Sequence, residues 1–209
     1  MTVTSIKRTL VTLLISILML PVGHASVVGP PGKHNIPGDA KLFLLVLKHD
    51  YIMYVYSFGK RIGEYEIALS QEPVGHKQKE GDLKLPEGEY RICQKSRGPF
   101  GTEPFWKRYL GPRWIRIDYP NRDDAERGLQ DGIISKRDHE RIQSAIDNHQ
   151  TPPQHTALGG GIGIHGWTKE DWDNDGDRNL TWGCISMHNK DLTEFYELVE
   201  IGTAIRIVP

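Results

Sequence analysis

The apolar and polar positions of this chain alternate, run together and break in ways that predict mostly strands. Leu42 to Leu47 is continuously apolar and, between Gly38 and Asp50, too short for a helix. Tyr51 to Tyr56 is aromatic and β-branched, Ser57-Phe58-Gly59-Lys60 reads as a turn, and Arg61–Leu69 follows. Three strands on short connections predict an antiparallel meander. Gly75 to Tyr90 is a loop of turn formers whose Pro86-Glu87-Gly88 turns into a strand over Glu89–Gln94. Lys77, Lys79 and Lys84 in that loop read as a solvated face. Arg97 to Trp106 mixes glycine, proline and aromatics, as a loop walling a cleft would, and Trp114 to Tyr119 alternates bulky and polar like a half-buried strand.

Helical signals come late. Asp123 to Asp131 is a short helix stopped by Gly132. Ser135 with Asp138 three residues on reads as a capping box for a helix reaching about Asn148, with Ile142, Ala145 and Ile146 facing inward. This pair is inserted between strands as a lid or rim. Gln150 to His155 is a proline-rich connection. Asn189 is the expected N-cap of a helix ending near Gly202, and Thr203 to Val208 the last strand. The pattern predicts a mainly β fold with a helical insertion and a C-terminal helix, without repeats or a second domain.

The beginning of the chain differs in kind. Lys7 and Arg8 precede an apolar run from Leu10 to Leu20, Pro21 breaks it, and Gly23-His24-Ala25 offers small residues to a signal peptidase. Residues 1–25 read as a secretory signal cleaved before Ser26, 26–40 as a flexible lead-in and 41–209 as the domain. The expected location is therefore the periplasm or cell envelope, with no stable membrane span after cleavage. A formal charge of −1 on 209 residues, without a basic block, argues against nucleic acid as a partner.

Export changes the meaning of the two cysteines. Paired, they would form one disulfide. Cys184, however, lies between Gly183 and Ile185, nineteen residues after His165, which is followed by Gly166. A thiol beside a histidine can act as a nucleophile, and a glycine before it opens the approach of a carbonyl. A permanent bridge would silence it, so Cys93 is expected to be free and mostly buried. His139, His149, His155 and His188 sit in polar surroundings that suggest exposure.

The run from His165-Gly166 to Thr181-Trp182-Gly183-Cys184-Ile185-Ser186 resembles the signature of the L,D-transpeptidase (YkuD-type) family. Trp182 stands where that family often has a second histidine, and Ser186 where it often has Arg or Asn. Gly81, Asp82, Pro86, Gly88 and Tyr90 resemble another recurrent family segment, and Asp118-Tyr119-Pro120-Asn121 one of its branches. The resemblance implies a sandwich- or barrel-like catalytic domain acting on peptidoglycan stem peptides, with Cys184 as nucleophile and His165 as base. It further implies an oxyanion hole from the backbone at Trp182, Gly183 and Cys184, with Gly166 or Trp167 orienting the imidazole. Thr181, Ser186 and Trp167 are the expected substrate contacts. The acyl group would pass to an amine, making a crosslink or attaching a protein, or to water, as in a carboxypeptidase or a hydrolase of wall-linked lipoprotein. A reading from another class is a non-catalytic peptidoglycan- or calcium-binding envelope protein.

The reaction so implied requires no cofactor. Between the two candidate residues, Asp171, Asp173, Asp175 and Gly176 take the first positions of a calcium loop, with Asp177 beyond. Trp182 occupies the place of the closing carboxylate, so this is not an EF-hand, and a structural calcium would bind more weakly.

Overall fold

Phe43–Leu47 (β1) is buried at all five positions. Its side chains divide between two apolar clusters: Leu44 and Val46 enter the main core, while Phe43, Leu45 and Leu47 pack with Tyr54 and Tyr56 on the other face. An unbroken apolar run suits a strand covered on both sides. Ile52–Ser57 (β2) pairs antiparallel with β1 and Lys60–Glu66 (β3) with β2, the expected meander. The structure is a computed structural model and describes residues 34–167 and 178–209. Ile36 and Ala40, in the segment read as a flexible lead-in, pack against the smaller cluster.

The other neighbour of β1 is the last strand, Ala204–Val208 (β10), which runs parallel to it. Gly88–Arg97 (β5) follows, then Arg113–Ile117 (β6), Gly163–Trp167 (β7) and, parallel to β7, Ile185–His188 (β9). The order is β3-β2-β1-β10-β5-β6-β7-β9. Its outer strands, β3 and β9, touch, and just beyond β3 Ala68 exchanges backbone hydrogen bonds with Ser186 of β9. The sheet is thus nearly closed, a mainly β, barrel-like fold. Leu69–Ser70 (β4), expected to continue β3, instead pairs with Asn179–Thr181 (β8) in a small second sheet.

The helices correct the sequence reading in four places. Pro104–Leu110 (α1) lies in and beyond the stretch read as loop. Seven residues carry too little periodicity to announce a helix, although Pro104 has the preset φ of a first turn. Arg122–Gln130 (α2) holds the reciprocal capping box, between Asn121 and Asp124. At Lys136–Asp147 (α3), the Ser135 hydroxyl accepts the Asp138 N–H, but the Asp138 carboxylate accepts from the Ser135 hydroxyl rather than from its N–H, so only half the expected box forms. Asn189–Leu198 (α4) starts with Asn189 already helical and His188 at the cap, and ends before Val199 rather than near Gly202. Among the described residues no helix is long and apolar enough to cross a membrane.

Ile142 is buried and Ile146 packs on the core, as expected for the inner side of α3. No residue of the α2–α3 insertion lines the cleft described below, whereas the connection after it does; α2 backs one wall, Arg127 donating to Lys77 O at 3.2 Å. Tyr90 of β5 donates to Asp124 of α2 at 3.0 Å, tying the insertion to the sheet.

Candidate active site

A cleft of about 970 Å³ opens over the β6–β7–β9 side of the sheet. Lys77, Glu80, Gly81 and Leu83 form one wall, while Trp106 and Tyr109 of α1 with Trp182 form another. Trp114 and Arg116 of β6, Gln154 and Gly159–Ile162 line the part near Cys184. The loop of Arg97 and Phe100 does wall the cleft, as its composition suggested.

The lysine wall departs from the solvated-face reading at one residue. Lys77 is 3 % exposed, and its ammonium meets Asp82 Oδ1 at 2.7 Å. Asp82 also accepts the N–H groups of Gln78 (2.6 Å), Lys79 (3.0 Å) and Lys84 (3.2 Å). Burial opposes the charged carboxylate, but Lys77 and the backbone donors outweigh it and hold Asp82 below the usual range.

Cys184 sits at the mouth of β9 on a turn built by Thr181. The Thr181 hydroxyl donates to the Cys184 carbonyl at 2.7 Å and accepts the N–H of Cys184 at 3.0 Å and of Gly183 at 3.4 Å. Gly183 has φ 136°, and a Cβ there would lie 3.1 Å from the Lys84 carbonyl oxygen. Only glycine fits this turn without strain. The thiol itself donates to Gly161 O at 3.4 Å.

His165 lies on β7 opposite Trp114 of β6 and Ser186 of β9. Carrying the β7–β9 register back one residue puts Cys184 beside Gly163, two positions from His165, so thiol and imidazole share a face of the sheet. The ring is fully buried, stacked near Trp114 (6.0 Å between centroids) and Tyr109 (5.1 Å). Its Nδ1 lies 2.7 Å from Gly166 O. A carbonyl can only accept, so Nδ1 carries the hydrogen and Nε2 keeps its lone pair. Among the described residues that buried Nε2 has no partner.

Burial dominates the ionisation of both groups. It pushes the His165 imidazole down to about 4, against the opposing Gly166 and Tyr109 backbone. It pushes the Cys184 thiol up to about 11, against the Gly163 backbone and the more distant charges of Lys77 and Arg116. At neutral pH the pair is therefore a thiol and a neutral imidazole, not a preformed thiolate–imidazolium pair. Such a pair can form a thiolate by proton transfer to Nε2 when an electrophile arrives.

The remaining sequence-predicted residues scatter around this centre. The Trp182 N–H donates to the Tyr109 hydroxyl at 3.2 Å, while its half-exposed indole stacks on Tyr109 (5.2 Å) and Phe105 (5.9 Å). Thr181 and Ser186 are fully buried and absent from the cleft lining; the former shapes the turn, and the latter sits opposite His165. Trp167 also lies outside the cleft, packed edge-on against Tyr109. Gly166 supplies the carbonyl that orients His165. Asp171, Asp173, Asp175 and Asp177 lie outside the described residues, and the calcium loop with them. Cys93 is free and half-buried, its thiol raised chiefly by burial.

Sequence reasoning passed over Tyr109, Trp114, Arg116 and Gln154. The alternation in Trp114–Tyr119 does place Trp114 and Arg116 on one face. Nothing local marks Tyr109 or Gln154, whose places depend on α1 and on a loop crossing β6.

Fold and site define a nearly closed β-sheet protein with a thiol lining one cleft and a buried imidazole on the same face of the sheet. Residues 41–207 match the L,D-transpeptidase catalytic domain (YkuD), and the chain belongs to that family. It is 25 % identical over 189 residues to the putative L,D-transpeptidase YqjB of Bacillus subtilis, covering 87 % of this chain and 78 % of that one. Among solved structures it is similar to the helical cell shape determining protein Pgp2 of Campylobacter jejuni, 27 % identical with a TM-score of 0.52. That match covers 82 % of this chain and 48 % of that one. Bd1075 of Bdellovibrio bacteriovorus shares the fold at 20 % identity and a TM-score of 0.50, over 81 % of this chain and 48 % of that one. The chain thus spans about half the length of these two solved chains.

Proposed function

We propose that this protein performs cysteine-dependent acyl transfer on peptidoglycan stem peptides, with Cys184 as nucleophile and His165 as base. The observation that carries this reading is the buried, partnerless Nε2 of His165, with Nδ1 tied to Gly166 O, on the sheet face shared with the Cys184 thiol. A buried nitrogen without a partner is costly, and a group that shares a proton with it relieves that cost.

The Cys184 Sγ attacks the carbonyl at the L-centre of meso-diaminopimelate while its proton passes to Nε2 of His165. The tetrahedral intermediate collapses, the C–N bond to the following D-residue breaks, and Nε2 returns the proton to the departing amine. A thioester on Cys184 remains, to be taken by an amine or by water. The N–H groups of Gly183 and Cys184 donate to the Thr181 hydroxyl and that of Trp182 to Tyr109, so an oxyanion hole built from them would draw on donors that these hydroxyls now hold. The Tyr109 hydroxyl adds a donor: it accepts the Trp182 N–H and keeps its own proton to give, which burial and the nearby Cys184 hold on it. This substrate places the protein in the cell envelope, in accord with the signal-like residues 1–25, and the likeness to Pgp2 extends the proposal to cell shape.

The test is mature protein with disaccharide-tetrapeptide muropeptides, products read by mass. Crosslinked dimers mark an amine acceptor and disaccharide-tripeptide marks water; substrate unchanged by the wild type defeats the proposal.

A further inference from the structure

Cations lining the cleft differ in one respect. Lys77 is paired with Asp82, and Arg97 with Glu197 at 2.9 Å. Arg116 has no acidic partner among the described residues, although Glu80 lines the same cleft. Among the described residues its buried Nε has no hydrogen-bond partner, its NH1 group donates to Gln154 Oε1 at 3.1 Å, and its guanidinium lies 5.9 Å from the Trp114 ring centre. A guanidinium with donors left over in a partly buried setting is an incomplete site for a planar anion.

The surroundings hold Arg116 in place. Gln154 Oε1 also accepts the Gly161 N–H at 2.8 Å, while its Nε2 donates to Tyr119 O (3.0 Å) and Pro152 O (2.8 Å). The orientation of that amide is therefore settled by four contacts. Gly161, in turn, accepts the Cys184 thiol. The register of β6 continues the argument. Trp114 pairs with His165 and Arg116 with Gly163, so both side chains point to the catalytic face. Gly163 itself lies beside Cys184. Two strand spacings, about 10 Å, separate the backbones of Arg116 and Cys184, and the strand between them carries no side chain at that level. A Cβ at Gly163 would meet Ile115 O at 2.4 Å, so this gap cannot readily be filled.

We propose that Arg116, positioned by Gln154, is a carboxylate-binding residue that anchors the acyl donor beside Cys184. The inference rests on the stem-peptide reading above and adds to it the group recognised. A tetrapeptide stem offers two carboxylates near the scissile bond: the D-centre carboxylate of meso-diaminopimelate and the terminal carboxylate of the leaving D-alanine. Either would complete the guanidinium fork.

The experiment measures peptide binding by calorimetry to the Cys184→Ala protein, which needs no turnover. Three ligands are compared: L-Ala-γ-D-Glu-meso-diaminopimelate-D-Ala, the same peptide amidated at the D-centre, and the same peptide ending in D-alaninamide. The expected result is that one amidation weakens binding about ten- to a hundredfold, the range of a charge-assisted hydrogen bond, and identifies which carboxylate is held. Adding Arg116→Gln should weaken the free peptide equally and remove the discrimination, and Arg116→Lys should fall between. If the parent binds all three peptides alike or binds none, the proposal is overturned. It is also overturned if the Arg116→Gln protein, melting as the parent does, discriminates as before. Binding arms that behave as expected, with no product from the wild type, would instead defeat the acyl-transfer reading and leave the carboxylate site standing.

Discussion

Two buried ionisable pairs border the same cleft and are treated in opposite ways. Lys77 and Asp82 are charged, in contact, and wrapped in hydrogen bonds from three backbone N–H groups. Cys184 and His165 are both driven toward neutrality, and the imidazole Nε2 has no partner among the described residues. The first pair gives a loop of turn formers a definite shape beside the cleft. The second leaves its bonding capacity open for a substrate. The saturated pair serves structure, while a buried pair held neutral beside a cleft is suited to chemistry.

Removing one member from each pair should separate these roles. Cys184→Ala is expected to abolish acyl transfer, read by product mass, while its melting temperature stays near that of the wild type. Retained turnover would reassign the nucleophile. His165→Ala should lower kcat by about 10²–10⁴, the share of a positioned proton-transfer group, whereas His188→Ala should leave the rate nearly unchanged. Equal rates in the two variants would make His165 a packing residue.

Asp82→Ala strikes the saturated pair. It leaves Lys77 buried without its carboxylate and should cost about 3–5 kcal/mol in urea unfolding. Replacing both members with apolar residues should recover much of that loss. A single substitution as harmless as the double would mean that the loop holds its shape without the charge.

The pairs also respond differently to pH. An unfolded histidine takes a proton below about 6.5, but His165 in the fold resists to about 4. Stability therefore falls as pH drops through that window, by up to about 3 kcal/mol. The thiol acts at the other end: the unfolded chain loses its proton above 9 and the fold holds it to about 11, so stability falls as pH rises between them. Asp82, held low, contributes stability above the ordinary carboxylate range that is lost as pH falls through its lowered value. Comparing unfolding at pH 7 and pH 5, His165→Gln should lose less stability than wild type; parallel losses would remove the burial argument. The acid limb of kcat/KM should likewise lie near 4 rather than 6.5.

The smallest effect is expected at Trp182. Trp182→His keeps the backbone N–H bonded to Tyr109 and removes indole stacking worth about 0.5–1.5 kcal/mol per aromatic pair. The rate constant for chemistry should hardly move. A large fall in kcat with unchanged melting would give the indole a role in the reaction itself.

Much of this protein can be read from residue order because its signals are local. The apolar run Leu42–Leu47 and the turn at Phe58-Gly59 specify neighbouring strands, and their pairing follows from a short connection. The Gly183-Cys184 context and the distance to His165-Gly166 mark the candidate chemistry, since glycine beside a thiol has a steric reason that needs no neighbour from elsewhere. Even the helices were visible where they carry caps and an inner apolar side, as at Ile142. Only tertiary structure decided the rest. The insertion of β10 beside β1, the near closure of the sheet, and the placing of Tyr109 against Trp182 all join residues far apart in the chain, where no periodicity relates them. The same holds for the state of the site. Sequence names a thiol and an imidazole, but their neutrality comes from burial, and burial is set by which side chains the fold stacks on them. Likewise Lys77 and Arg116 are both cations in the sequence, and only packing gave one a carboxylate while, among the described residues, the other has none.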